Sequence, residues 1–537
     1  MTVPNALRRR TFMGAALAGA GALTGCSTVT RSTDVTAINK PVELPEHRRW
    51  QGVKPDLPTT HPLMPETYLH YPSNAMRAFD RPPGRGLSVQ GHVPTNSPVP
   101  PSLERNRYWL ELNKRTGVRL NLAITPGGDY DNKFQTSVAG DALGDVWNIV
   151  NNPAYLPQLL EAKAHDLTPH LSGSAIHKYP FLANLPTQNW QGCVFSGRIF
   201  AVPITRGAFA VVTLLSRADL FRKRDVDPEF HDVSELLSMG KEMTDDRRNH
   251  WAFASAPIQT LATMLGLSGE WSERGGRFTF FRETEEYHEA LDIARRMTTQ
   301  KMVHPDGVTA FNGKVWFRQG TVAMLQDTYS ALPGLYQQGR GGFEVALPVI
   351  PGPDGKPGRM WLTSPNNSIT ALSRAEPGRI EAILEYLNWC AAPIGTQEYT
   401  FRKYGIEGYD FNFEKGDPVL TDRGNSETGL GDFPIQYLAD SPKALFFPGF
   451  PEATESAYRN LRTAAPHMKL SPTYGLYSPT STTKGQLLTK LLDDSVNNIL
   501  LGRAKVSSWP ETIRQWRRRG GDAMRAEYEQ ALATRKS

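Results

Sequence analysis

Cysteine is scarce in this sequence. Three cysteines occur among 537 residues, at positions 26, 193 and 390. Because the chain has no CxxC pair and no His-x-His spacing, the usual pattern of a zinc site is missing, and we expect neither a metal nor another cofactor. Cys193 and Cys390 could form one disulfide bond at most. Cys390 lies on the apolar stripe of a helix predicted over 378–391, which favours a place in the core.

Several catalytic motifs are missing as well. The chain has no G-x-S-x-G nucleophile elbow, no H-E-x-x-H pair and no P-loop. Their absence argues against the serine hydrolases, zinc proteases and nucleotide hydrolases that carry them. It does not argue against enzymes that need only two carboxyl groups about 5–10 Å apart, because no sequence spacing reveals such a pair.

A strong excess of charge is also absent. The formal net charge of +6 includes Arg8, Arg9 and Arg10, and without them 57 basic residues face 54 acidic ones. This balance argues against a nucleic-acid partner. A hydrophobic content of 39% and an aromatic content of 10% are typical of a globular protein. At this length, two or more lobes are expected.

The N-terminus carries the pattern of an export signal. Arg8–Arg10 precede an apolar run over 12–23, about half the roughly 20 residues that cross a bilayer. The run Arg9-Arg10-Thr11-Phe12-Met13 resembles the twin-arginine export motif, and Leu23-Thr24-Gly25-Cys26 resembles the lipobox of bacterial lipoproteins. We therefore expect a signal peptide over 1–25, acylation of Cys26, and attachment to the extracytoplasmic face of the cell membrane through this N-terminal lipid.

Proline is concentrated just after this signal. Thirteen prolines fall between positions 41 and 101, which favours extended and semi-rigid backbone. We therefore expect a tether over 26–86. Its aromatic residues, among them Trp50, Tyr68 and Tyr71, are costly to leave in water, so its later half is expected to be ordered.

Beyond the tether, predicted strands and helices alternate. Strands are expected over 87–92, 118–124 and 145–149, and helices over 105–115, 130–139 and 153–162. This alternation predicts an α/β fold with a parallel sheet covered on both faces. Farther along, Tyr287, Leu291, Ala294 and Met297 recur at steps of three and four and predict a helix over 284–299.

A set of short motifs resembles the family 1 extracellular solute-binding proteins of ABC importers, in particular their long oligosaccharide-binding lipoproteins. The motifs occur in the family's order over about 440 residues. They are GDALGDV at 140–146, GRIFAVP at 197–203, SRADL at 216–220, FRQGTVAM at 317–324, YGIEGY at 404–409, and GGD at 520–522 with EY at 527–528. Arg198 and Ala201 depart from the family's usual Lys and Gly.

The resemblance implies a periplasmic-binding-protein-like fold of type II, with two α/β lobes and a ligand cleft between them. Mapping the motifs places the chain crossings near 205–208, 326–329 and 363–367. One lobe would comprise 87–206 plus 327–364, and the other 207–326 plus 365–537.

A sugar in such a cleft needs aromatic faces for stacking and polar side chains for its hydroxyl groups. Residues that follow strands or lie at crossings are the candidates. They are Thr95, Asn96, Asn151, Asn152, Tyr155, Arg206, Gln326, Asp327, Tyr329, Trp361, Asn366 and Asn367. Asn-rich clusters also form turns and helix caps. Trp147, Trp251 and Trp389 are expected in the core, whereas Trp361 precedes a crossing.

The function that the resemblance implies is non-enzymatic. A monomeric protein would capture a small solute, expected to be an oligosaccharide, and deliver it to the subunits of an ABC permease. An exported carbohydrate-active enzyme is one alternative. A sensor accessory that presents the same ligand to a membrane receptor is another, and would use the same cleft.

Overall fold

The computed structural model describes residues 34–339 and 341–536. The predicted signal peptide over 1–25 and the predicted lipidation site Cys26 lie outside these residues.

The strands are short and fall into six sheets. In chain order they are β1 Ser88–Thr95, β2 Arg119–Pro126, β3 Val146–Ile149, β4 Val194–Phe195, β5 Arg198–Ile199, β6 Ala201–Thr205, β7 Val212–Arg217, β8 Trp251–Phe253, β9 Trp271–Arg274, β10 Arg277–Phe280, β11 Val322–Thr328, β12 Val345–Ala346, β13 Met360–Leu362, β14 Asn366–Leu372, β15 Phe411–Glu414, β16 Asp417–Leu420 and β17 Met468–Leu470.

Helices alternate with the strands along the described chain and make up most of residues 451–536. They are α1 Val35–Ile38, α2 Arg107–Thr116, α3 Gly127–Ala139, α4 Leu156–Lys163, α5 Thr168–Leu171, α6 Pro180–Ala183, α7 Ala218–Lys223, α8 Val233–Glu242, α9 Ile258–Met264, α10 Glu285–Thr299, α11 Gly313–Gln319, α12 Leu332–Gly339, α13 Pro377–Cys390, α14 Gln397–Tyr404, α15 Asp422–Glu427, α16 Pro451–Ala464, α17 Pro479–Leu500, α18 Trp509–Trp516 and α19 Asp522–Lys536.

Helix α2 shows why these segments begin and end where they do. At its N-terminus the side chain of Asn106 accepts a hydrogen bond from the backbone N–H of Trp109 at 2.9 Å. At its C-terminus Gly117 takes the left-handed conformation, with a φ of 66°, which a glycine adopts without strain. The helix predicted over 105–115 is confirmed, with ends that differ by one or two residues.

The first sheet has five strands in the order β2-β1-β3-β14-β6. Strand β1 pairs parallel with β2 and β3, as predicted. Strand β14 runs antiparallel to both β3 and β6, so the sheet is mixed rather than parallel throughout. The reason is that β14 enters the sheet at the edge where β3 and β6 end.

The second sheet has four strands in the order β12-β7-β11-β8. Strand β8 is parallel to β11, and β7 is antiparallel to both β11 and β12. Each sheet has its own large hydrophobic core. Helices α2 and α13 pack with the first sheet, and α10, α16 and α17 pack with the second.

The predicted apolar stripe of α10 is confirmed: Tyr287, Leu291, Ala294 and Met297 are all buried. Cys193 and Cys390 are buried and unbonded. They belong to different core clusters, Cys193 with Trp147 and Cys390 with Leu387.

The chain is divided between the two sheets differently from the sequence-based boundaries. Residues 327–364 were placed with the first lobe, but β12 pairs in the second sheet and Leu335 packs in its core. Residues 365–537 were placed with the second lobe, but β14 and α13 lie with the first sheet. After β11 the chain touches the junction and returns to the second sheet, and it crosses to the first sheet at 363–367. It goes back to the second sheet before α16, because Leu445 and Phe447 pack in the second core.

The segment 34–86 packs against the body of the protein. Tyr68 and Tyr71 are buried. The N–H of Tyr68 donates to the carbonyl of Leu445 at 3.0 Å, and the N–H of Leu445 donates to the carbonyl of Glu66 at 2.8 Å. The tether expected over 26–86 is therefore part of the folded body from residue 34 onward. Within the described residues, no helix has both the length and the hydrophobicity for a membrane crossing.

Candidate ligand-binding cleft

Three chain segments lie side by side where the two sheets meet. The carbonyl of Pro365 accepts hydrogen bonds from the backbone N–H groups of Arg206 and Gly207, at 2.8 and 2.9 Å. The N–H of Tyr329 donates to the carbonyl of Val211 at 3.2 Å. The structure thus brings together the segments 205–208, 326–329 and 363–367.

The carboxyl ends of several strands meet at this junction. In the first sheet, β1, β3 and β6 run in the same direction, since β14 is antiparallel to both β3 and β6. In the second sheet, β8 and β11 also share a direction, and β11 ends at the junction. In open α/β sheets, ligands bind outside the carboxyl ends of the strands. The space between these two edges is therefore the candidate ligand-binding cleft.

Arg206 lies at the centre of this junction. Its Nη2 donates to the Oγ1 of Thr328 at 3.2 Å and to the hydroxyl of Ser330. Burial lowers the pKa of the Arg206 guanidinium, while the nearby Asp327 carboxylate and Tyr437 phenol act in the opposite direction. An arginine still carries its charge at neutral pH after such a shift.

Gln326 and Asp327, at the end of β11, both have protein partners. The Oε1 of Gln326 accepts hydrogen bonds from the N–H and the hydroxyl of Thr260, at 3.0 and 3.1 Å. Asp327 forms a salt bridge with Lys314 at 3.4 Å, and its Oδ1 accepts from the N–H of Thr328 at 2.7 Å. Gln326 therefore holds α9 against the sheet, and the charge of Asp327 is compensated.

The first sheet contributes polar residues from the loops after β1 and β3. Asn96 is exposed and donates from Nδ2 to the hydroxyl of Tyr437 at 3.1 Å. Asn151 is exposed and donates to Asp131 at 2.8 Å. Tyr155 is 46% exposed and has a left-handed backbone at the start of α4. These side chains are accessible to a ligand at this edge.

The remaining polar candidates have varied surroundings. Asn152 is exposed. Thr95 is buried, and its hydroxyl donates to the carbonyl of Ser97 at 3.0 Å. The amide of Asn366 exchanges hydrogen bonds with Asn189. Asn367 is half-buried at the irregularity where β14 changes register against β6.

Two aromatic candidates do not reach the cleft surface. Tyr329 is only 1% exposed, and its hydroxyl donates to the side chain of Asn460. Trp361 is 6% exposed, with its indole N–H donating to the carbonyl of Leu267 at 2.9 Å. Both side chains turn into the core of the second sheet, where each finds a polar partner for its one donor.

A cluster of aromatic side chains at the second edge was not among the sequence candidates. The rings of His304 and Trp316 are stacked, with centroids 3.7 Å apart, and Phe311 meets Trp316 edge-on at 5.9 Å. Phe311 is 53% exposed and Trp316 is half-buried. Exposed aromatic faces of this kind are what the stacking of a sugar requires.

The position of this aromatic cluster follows from α11. Gly313, the first residue of α11, lies close to Leu325 of β11. A Cβ atom added to Gly313 would come within 2.8 Å of the Leu325 side chain. The next residue, Lys314, reaches Asp327. The start of α11 and the preceding Phe311 therefore lie at the carboxyl end of β11. The signal in the sequence is an aromatic residue followed by Asn312 and Gly313, just before a helix.

The described residues also contain a cavity of about 320 Å³ on the opposite side of the first sheet. It lies between α14 and the C-terminal end of α2, and Arg77, Arg115 and Trp389 contribute to its wall. Because α2 ends next to the start of β2, this cavity is at the amino edge of the sheet, away from the cleft. Nowhere in 34–339 and 341–536 do three or more His, Cys, Asp or Glu side chains group so as to hold a metal ion.

Sequence comparison shows similarity over most of the chain. A family model described as bacterial extracellular solute-binding protein matches residues 101–397. A curated protein of Bacillus subtilis (strain 168), the polygalacturonan/rhamnogalacturonan-binding protein YtcQ, is 20% identical over 469 residues, covering 80% of this chain and 88% of that protein.

Structural comparison gives the same fold. The alginate-binding protein AlgQ2, in a structure without calcium ion, superposes with a TM-score of 0.61 at 14% identity, covering 86% of this chain and 100% of the other. The N-glycan transport solute-binding protein NgtS of Streptococcus pneumoniae also gives a TM-score of 0.61 at 14% identity, over 83% of this chain and 99% of the other. The α/β fold of type II periplasmic binding proteins is thereby confirmed.

Proposed function

Since this chain belongs to the bacterial extracellular solute-binding proteins, we propose that it captures an oligosaccharide in the cleft and delivers it to an ABC permease. The printed names of its relatives support a carbohydrate ligand: YtcQ is a polygalacturonan/rhamnogalacturonan-binding protein, AlgQ2 an alginate-binding protein and NgtS an N-glycan transport protein. The alternative of a carbohydrate-active enzyme has no comparable support.

One observation carries the proposal: the cleft combines an aromatic surface on one edge with hydrogen-bonding groups on the other. Phe311 is exposed and Trp316 is half-buried beside the second sheet. Asn96, Asn151 and Tyr155 present polar groups beside the first sheet. Sugars have apolar ring faces and polar rims, so a ligand between the edges would contact both kinds of group.

We propose that the two sheets belong to separate lobes, which close over the ligand about the three junction segments. A ligand stabilises the closed state only through contacts that it makes in that state and not in the open one. Contacts on both edges meet this condition. A dissociation constant near 1 µM needs only about 8 kcal/mol, which a few stacking and hydrogen-bonding contacts supply.

Calorimetric titration with a panel of oligosaccharides tests the proposal, together with X-ray scattering of the same samples. We expect heat of binding for at least one oligosaccharide and a smaller radius of gyration in its presence. The ligand, recovered and weighed by mass spectrometry, should be unchanged. Heat without compaction would contradict the closure, and hydrolysed ligand would favour the enzyme alternative.

The N-terminal motifs support a location outside the cytoplasm. We propose that the twin-arginine signal over 1–25 exports the chain, that Cys26 is then acylated, and that a monomer stays on the outer face of the membrane beside its permease. The Cys26→Ala variant tests the anchor. We expect it to leave the membrane fraction and to lack the mass of the lipid. Retention of the variant on membranes would contradict lipid anchoring through Cys26.

A further inference from the structure

Arg206 carries a positive charge that no carboxylate in the described residues pairs with directly. Its side-chain hydrogen bonds go to two hydroxyl groups, those of Thr328 and Ser330. Both bonds come from Nη2, so Nη1 and Nε have no hydrogen-bond partner among the described residues. The planar guanidinium therefore keeps donors that a ligand can use.

Asp327 lies near Arg206, but it forms its salt bridge with Lys314 and accepts a hydrogen bond from Thr328. No carboxylate among the described residues forms a salt bridge with Arg206. Asp327 therefore offsets the charge of Arg206 only in part, and the half-buried guanidinium attracts anions more strongly than it would in open water.

Arg206 also has contacts with both sides of the junction. Thr328 ends strand β11 of the second sheet, and Ser330 lies two residues farther along. On the other side, the Tyr437 hydroxyl lies near Arg206 and accepts a hydrogen bond from Asn96 at the edge of the first sheet. A ligand group bound to Arg206 would therefore lie between the two edges. Nη1 and Nε can each donate a charge-assisted hydrogen bond to a carboxylate oxygen, which is stronger than a bond to a neutral sugar hydroxyl.

We propose that Arg206 binds the carboxylate of a sugar acid, so that the ligand is an oligosaccharide containing uronic acid residues. This inference rests on the proposed function, because it assigns a charge to the ligand of the same cleft. The neutral hydroxyls of Thr328 and Ser330 hold the guanidinium in place without cancelling its charge.

The test compares trigalacturonate with its methyl ester, in which neutral ester groups replace the carboxylates. In calorimetric titrations of the full mature chain, we expect the acid to bind at least about tenfold more tightly than the ester, as for a hydrogen bond to a charged group. Arg206→Gln should weaken binding of the acid about tenfold more than it weakens binding of the ester. Arg206→Lys should retain part of the preference. Arg459→Gln, which removes an exposed charge on α16, is the control for net charge.

Salt dependence gives a second measurement that needs no variant. The affinity for the acid should fall with rising ionic strength while that for the ester stays constant. Should Arg206→Gln fail to fold, this comparison and the acid-to-ester ratio of the natural protein decide the matter. Equal affinity for the two ligands would overturn the inference, and so would an Arg206→Gln variant that loses both ligands equally.

A neutral panel separates this inference from the proposed function. Neutral oligosaccharides that bind and compact the protein, while trigalacturonate and a trimer of mannuronate do not bind, would overturn the uronic acid ligand and leave the receptor function intact. Absence of binding for every acidic and neutral oligosaccharide would overturn both.

Discussion

Arg206, one residue after β6, donates a hydrogen bond to the Oγ1 of Thr328, the last residue of β11, at 3.2 Å. This side-chain bond links the carboxyl edge of the first sheet to that of the second. It lies next to the backbone bonds by which Pro365 holds Arg206 and Gly207. The three junction segments therefore meet in one network, and the cation of the cleft is part of it.

The double variant Thr328→Val, Ser330→Ala removes both acceptors of Arg206 and keeps its charge. We expect affinity for trigalacturonate to fall about fivefold, because a free arginine side chain loses about 1 kcal/mol of conformational entropy when a ligand fixes it. Calorimetric titration measures the change. Unaltered affinity would show that these hydroxyl groups do not orient the guanidinium.

Phe311→Ala tests the aromatic surface of the second edge. Removing one stacked ring should weaken oligosaccharide binding about fivefold to tenfold, the equivalent of about 1–1.5 kcal/mol. Because the side chain is half-exposed, the thermal midpoint should change little. Leu487→Ala is the matched control, since Leu487 is 65% exposed on α17. Equal effects of the two variants on binding would rule out a stacking role for Phe311.

Removing one charge of the buried pair Arg402–Asp440 should destabilise the protein far more than removing a charge at its surface. The two groups are 2.8 Å apart and their side chains are 1% and 2% exposed. Asp440→Asn leaves Arg402 as an unpaired buried cation, so we expect unfolding free energy to fall by about 3–5 kcal/mol. Glu455→Gln, which breaks the exposed pair with Arg459, should cost no more than about 0.5 kcal/mol. Urea unfolding measures both.

The same pair predicts a loss of stability in acid. Burial alone would raise the pKa of Asp440, but the ammonium of Lys443 and the guanidinium of Arg402 hold that pKa well below its usual value. A carboxyl whose pKa is lower in the folded than in the unfolded chain stabilises the fold above pH 4. That contribution disappears as the pH falls below 4. Asp440→Asn should therefore show a weaker pH dependence in this range.

Asp410 should have the opposite effect on the pH dependence of stability. It is fully buried, and burial raises its pKa to about 6. Since the folded chain then holds the proton more tightly than the unfolded chain, stability should fall as the pH rises from about 4 to above 6, by about 3 kcal/mol in total. Asp410→Asn should remove this fall and be the more stable protein at pH 7.5. Glu414→Gln, at an exposed carboxylate, should change neither the fall in stability with rising pH nor the stability at pH 7.5. A pH-independent difference between natural protein and Asp410→Asn would contradict this assignment.

Local signals in the sequence were sufficient to predict individual helices. The helix predicted over 105–115 and the apolar stripe of α10 are encoded within a few residues, and the structure shows both. The order of strands in the first sheet depends on pairings between distant segments. The reversed direction of β14 therefore had no local signal, and the lobe boundaries drawn from motifs placed it with the second sheet.

The candidate site was less accessible to sequence reasoning. Strand ends pointed to Asn96, Asn151 and Arg206, and the structure places these residues after β1, β3 and β6 at the carboxyl edge of the first sheet. The pattern could not distinguish these from Asn366, whose amide is held by Asn189 and by Tyr474, 108 residues farther along. Phe311 lies in an irregular loop, where neither the two-residue nor the 3.6-residue period applies.

The packed segment 34–86 sets a limit on where the receptor can stand relative to a bilayer. The described body begins at Asp34, and Thr36 accepts a hydrogen bond from Gln530 of α19 at 2.9 Å. Only seven residues, 27–33, lie between Cys26 and Asp34. The eight Cα–Cα steps between them reach at most about 28 Å when fully extended. A chain anchored through Cys26 would therefore be held close to the lipid headgroups, with α19 on the side that faces the membrane, and not at the end of a long tether.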